Sequence, residues 1–159
     1  MGNEHLATYL NDHLAGSVVA VELLESLEES HKGTPLEQFL RNLHKEIEAD
    51  RQELKTLMDR LDVSESKTRK ATAWISEKVT ELKLHFDDSA EGAFRLFESL
   101  EALSLGIEGK RSLWLLLAFL SDDVPSLRLI NYQRLIERAQ DQRNQVEARR
   151  MEIAKKALT

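Results

Sequence analysis

Only two prolines, Pro35 and Pro125, and six glycines interrupt this chain of 159 residues. Between them, apolar residues recur at steps of three and four, the period of one helix face, rather than alternating as on a half-buried strand. Stripes of that kind are buried by laying helix against helix, so the expected fold class is all-α, with a single domain over 1–159.

The interruptions place the elements. A first helix is expected over 4–32, capped by Asn3 and closed by Gly33, with His31 and Lys32 at its negative end. Thr34-Pro35-Leu36-Glu37 opens a second helix over 35–61, with Thr34 as N-cap and Glu37 closing a capping box. The short link at Gly33 makes this pair an antiparallel hairpin. Ala71, Trp74, Ile75, Val79, Leu82 and Phe86 form a weaker stripe, which predicts a shorter helix over 65–83. Asp88 with Glu91 caps a third long helix over 90–121, Ser121 to Pro125 break it, and a fourth runs over 126–157. Two long hairpins joined by a long crossover match a ferritin-like four-helix bundle, and an up-down five-helix bundle is the alternative.

Each seam turns polar near its middle. The first reads Leu6, Leu10, His13, Ser17, Ala20, Leu24, Leu27, and the second runs from Leu36 through Ile47, Asp50 and Leu54 to Leu61. The third passes from Ile107 through Lys110 to Trp114, and the fourth reads Leu129, Tyr132, Ile136, Ala139, Arg143, Val146, Ile153. Hairpin pairing sets Ser17 level with Asp50, and a crossover that makes the second and third helices parallel brings Lys110 to the same height. An unpartnered charge there costs several kcal/mol, whereas a paired, hydrogen-bonded set can roughly break even. The expected site is therefore a central polar layer or small-ligand pocket of His13, Ser17, Asp50, Lys110 and Arg143, in which Asp50 accepts from Lys110 or Arg143. With small errors of helical phase, the same residues become ordinary solvated charges.

Chemistry finds little support. Without cysteine there are no disulfides and no thiolate metal sites. Ferritin-like metal centres need a Glu-x-x-His on each of two helices, and the chain has only Glu28-Glu29-Ser30-His31, at a helix end. Lys110 and Arg143 would repel divalent cations, and Glu22, Glu98, Glu101 and Glu108 read as solvated acids. His44 and Glu48 stand one turn apart, but there is no His-x-x-x-His to complete a hemerythrin-like set. Ser17, His13 and Asp50 resemble a triad only in composition, with no oxyanion hole beside them. Gly106-Ile107-Glu108-Gly109-Lys110 lies within a helix and is no phosphate loop, so its glycines are read as allowing close helix approach. No catalytic residue, metal or cofactor is expected.

Net charge is −6, from 28 acidic and 22 basic residues, which disfavours nucleic acid and anionic membranes as partners. The first thirty-one residues hold acids and no Lys or Arg, while the last helix is rich in arginine, so these two segments are expected to lie side by side. No secretory signal is read at the N-terminus, and Leu113 to Leu120 is too short to span a bilayer, so a cytoplasmic protein is expected. That run is apolar on every face and must be covered all round, by the crossover helix or by a homodimer contact.

Tyr9 to Gly16, Glu101 to Ile107 with Gly109-Lys110, and Leu113-Trp114 resemble phrases of a family of small bacterial helical proteins of unassigned role. The resemblance spans most of the chain. It implies a ferritin-like helix layout without the usual iron ligands and a bacterial source, and it implies no activity. The function expected is protein association as a homodimer without catalysis, with binding of a metal or small polar ligand at the bundle centre as the alternative.

Overall fold

The computed structural model describes residues 4–66, 77, 80 and 89–159. Four long helices carry nearly all of them: α1 (Glu4–Ser30), α2 (Leu36–Arg60), α3 (Ser89–Leu120) and α4 (Tyr132–Leu158). A single 3-10 turn, Pro125–Leu127, lies between α3 and α4, and there is no strand among the described residues. Asn3, Asp88 and nearly all of the crossover helix expected over 65–83 fall outside the described residues.

Local chemistry sets the ends. Gly33 takes φ +74° after α1, a conformation that costs glycine little. The cap of α2 forms differently from the expected box. The Glu37 carboxylate accepts from the Gly33 N–H at 3.0 Å, and Thr34 Oγ1 donates back to the His31 carbonyl at 2.7 Å. After α2 the chain turns at Asp62, φ 53°, and is fastened to α1 by Asn11. That buried amide donates to the Ser64 carbonyl at 3.1 Å and accepts from the Ser66 N–H at 2.8 Å, as a strand neighbour would. The fourth helix begins later than expected because Asn131 caps it, accepting from the Arg134 N–H at 3.1 Å. Leu127 of the preceding turn is fully buried, whereas Leu129, expected inward, is 67% exposed.

α1 packs along α2 and α3, and α3 packs along α4. Side-chain bonds from Arg134, Arg138 and Gln142 to Glu53 and Asp50 bring α4 beside α2. The helices thus form a four-cornered bundle, with α1 diagonal to α4 and α2 diagonal to α3. The core divides into two apolar clusters. One gathers Leu24, Leu27, Leu40, Leu43, Leu100, Leu103 and Val146, and the other Leu10, Leu57, Met58, Trp114, Leu117, Leu127 and Leu135. This pairing of helix halves makes α2 and α3 parallel and each antiparallel to α1 and α4. It also overturns the expected contact between the acidic first segment and the basic last helix. Arg134 and Arg138 reach α2, and Arg143 and Arg150 reach α3, because those are the helices flanking α4.

Candidate functional site

The change of cluster falls at one height in every helix. Along α1 it lies between Leu14 and Ala20, along α2 between Ile47 and Leu54, along α3 between Ile107 and Leu113, and along α4 between Leu135 and Ala139. Ser17, Asp50, Lys110 and Arg138 occupy those gaps. Asp50 is 1% exposed, and both its oxygens are saturated. Oδ2 accepts from Lys110 Nζ at 2.5 Å and from Gln142 Nε2 at 3.0 Å. Oδ1 accepts from Arg138 Nε at 2.8 Å and from a second nitrogen of the same guanidinium. Lys110 also donates to Gln142 Oε1, which fixes the amide. Four donors thus satisfy the hydrogen-bonding capacity of this buried carboxylate. Burial pushes the Lys110 pKa below its ordinary value, opposed by the Asp50 carboxylate.

Of the sequence-derived set, Asp50 and Lys110 meet directly. Ser17 stands at the same height but donates to its own helix, to the Leu14 carbonyl at 2.6 Å. Arg143 does not join the layer. It lies 3.7 Å from Glu108 and 4.0 Å from Glu147, more than a third exposed. The buried seam of α4 is Tyr132, Leu135, Ala139, Gln142 and Val146, one residue out of phase with the expected one at two positions. Sequence reading missed Gln142 and Arg138. An uncharged amide inside a polar helix gives no signal, and Arg138 reaches inward along its stem from beside the seam.

Beside the layer, between α1 and α3 and floored by α2, lies a cavity of about 540 Å³. Its lining runs from Asp12 to Leu23 on α1, roughly 16 Å of helix rise. Ala20, Leu23, Ile47, Leu103 and Ile107 line one side, Leu54, Leu113 and Trp114 line the other, and Asp50, Arg51 and Lys110 lie between them, with His13 nearby on α1. Gly16, Gly106 and Gly109 form part of the wall, and a Cβ built on any of them would meet nothing within 4 Å among the described residues. The expectation that Gly106 and Gly109 allow close helix approach is therefore overturned: they leave space. Gly16, Ala102 and Gly106 are exposed along the mouth.

His13 lines the same cavity. Its ring stands edge-on to Tyr9 at 4.7 Å between centroids, and it makes no hydrogen bond to any described residue. Burial pushes its pKa below the ordinary value, against a weaker upward pull from Asp12, so the ring is neutral at pH 7 and holds one free donor and one free acceptor.

No metal centre assembles among the described residues, where no group of three or more His, Cys, Asp or Glu comes together. His44 turns to Glu28 at 2.6 Å, and His31 bonds the Leu27 carbonyl at 2.9 Å. The run over 113–120 is half covered. Leu113, Trp114 and Leu117 are buried, while Phe119 is 71% exposed and Leu115 and Leu116 are partly so. No helix among the described residues is long and apolar enough to cross a membrane. Compared with family models, curated proteins and solved structures, the chain finds no match in any of the three.

Proposed function

We propose that this chain is a ligand-binding helical bundle that holds one elongated, largely apolar small molecule in the cavity between α1 and α3. The observation that carries this reading is the wall itself. A glycine inside a helix costs roughly 1 kcal/mol relative to alanine, and at Gly16, Gly106 and Gly109 no atom of the described residues requires the missing Cβ. What the three share is an empty volume within the usual range for ligand pockets, about 300–1,000 Å³. Small residues at the mouth and apolar surface on both sides of a fixed charged layer suit a guest that enters sideways and lies along the helices.

The test is titration with the neutral dye Nile red. Saturable one-to-one binding is expected, and Gly106→Leu, which fills the mouth, should weaken it by at least about tenfold while the melting temperature holds or rises. Unchanged binding by Gly106→Leu, or no saturable binding at all, would remove the proposal.

The same layout supports a ferritin-like topology, two hairpins with α2 and α3 parallel, whose centre holds an ion-pair layer where iron-binding bundles keep carboxylates. A second reading, association of two copies, rests on the outer face of α3. Leu105, Leu116 and Phe119 lie within about 60° of one another around that helix, and Leu105 and Phe119 are 68% and 71% exposed. Light scattering should give a dimer that Phe119→Lys converts to a monomer. A monomeric wild type would dismiss this second reading and leave the first untouched.

A further inference from the structure

Resting on the reading of the cavity as a ligand pocket, we infer that the guest is an amphipathic monoanion, an apolar tail bearing a carboxylate, with its head held at Lys110 and Arg51 and its tail toward Leu23 and Leu103. The unspent hydrogen-bonding capacity around the cavity decides the sign. Asp50 is enclosed and already accepts from Lys110, Arg138 and Gln142, so it has nothing to offer a guest. Gln142 spends its amide on Asp50 and Lys110. Lys110 is different. Its side chain keeps 17% exposure, it lines the cavity, and two of its three N–H groups are used by Asp50 and Gln142.

Arg51 supplies a second donor. It lines the cavity from α2 and pairs with Glu48 through one terminal nitrogen at 3.2 Å, which leaves its other terminal N–H groups for a guest. His13, neutral and without a hydrogen-bonding partner among the described residues, can donate one more N–H from α1. The layer itself sets one carboxylate, Asp50, against two cations, Lys110 and Arg138. The other acids facing this region, Asp12 on α1 and Glu46 on α2, are exposed, and water screens them. A carboxylate placed beside Lys110 therefore gains charge-assisted hydrogen bonds, whereas an ammonium head would meet cationic donors. The lining beyond the layer, Ala20, Leu23, Ile47, Leu103 and Ile107, offers a tail nothing but apolar surface.

Three decyl compounds with one tail and different heads test this on the intact protein: decanoate, decanol and decyltrimethylammonium, each competing with bound Nile red. Decanoate should displace the dye at a concentration at least about tenfold lower than decanol, and the cation should be the weakest. Arg51→Gln should narrow the gap between decanoate and decanol without weakening decanol. Lys110→Met should abolish the advantage of decanoate over decanol, and should that variant prove unstable the wild-type comparison decides alone. Decanol or the cation matching decanoate overturns the anion assignment and leaves the pocket standing, as does failure of all three against a dye that binds saturably. Failure of Nile red itself overturns the pocket and this inference with it.

Discussion

Lys110 Nζ lies 2.5 Å from Asp50 Oδ2 across the diagonal of the bundle, so α2 and α3 meet at its axis through an ion pair rather than through side-chain packing. The pair, with Arg138 and Gln142, separates two apolar clusters that would otherwise form one continuous core. A layer of this kind adds little net stability, but removing one member leaves the others buried and unpaired.

Asp50→Asn should accordingly destabilise the fold by about 3–5 kcal/mol, read as a lower urea midpoint at unchanged slope. Lys110→Met alone should cost less, because Arg138 and Gln142 still serve the carboxylate. In the Asp50→Asn/Lys110→Met double variant the two losses should fail to add, with a coupling of about 1–3 kcal/mol. Additive losses would mean that the two charges act independently.

Gly106→Ala and Gly16→Ala should each stabilise the protein by roughly 0.5–1 kcal/mol, since the helix gains propensity and the new methyl meets no atom of the described residues within 4 Å. Thermal melts of the two variants check this. A drop in melting temperature would show that the space is filled in solution and that the glycines serve packing.

His13 makes stability depend on pH in a defined direction. Its pKa is lowered in the folded state by burial, so the unfolded chain binds the proton more readily. The stability is fully present above the unfolded value of 6.5 and is lost as pH falls through the lower folded value. Glu108 and Glu147 also have lowered values, but as carboxylates they act in a more acidic window. Urea midpoints between about pH 7.5 and 5 should fall, and His13→Gln should flatten that fall. An identical slope in the variant would contradict this placement of the ring.

Much of the bundle is legible in the sequence because Gly33 and Pro35 fix one helix junction and the seams of α1, α2 and α3 step regularly. The level of Ser17, Asp50 and Lys110 follows from pairing those seams. α4 is where periodicity fails. Leu135 and Ile136 are both apolar, so two phases fit almost equally, and the choice that put Arg143 inward left out Gln142. Arg138 is invisible for a different reason: a guanidinium on a long stem ends far from its Cα, and a pattern records only where the stem begins. The cavity is hidden for a third reason. Glycine within a helix reads equally as close approach or as empty space, and only the positions of neighbouring atoms distinguish them.

The central claim is that the space beside Asp50 and Lys110 receives a guest, and amide NMR of the uniformly labelled protein titrated with Nile red tests it most directly. Saturable shifts concentrated at Gly16, Gly106 and Gly109, with the indole N–H of Trp114 moving alongside, are the predicted result. Shifts confined to the outer face of α3 around Leu105 and Phe119, or none that saturate, would contradict it.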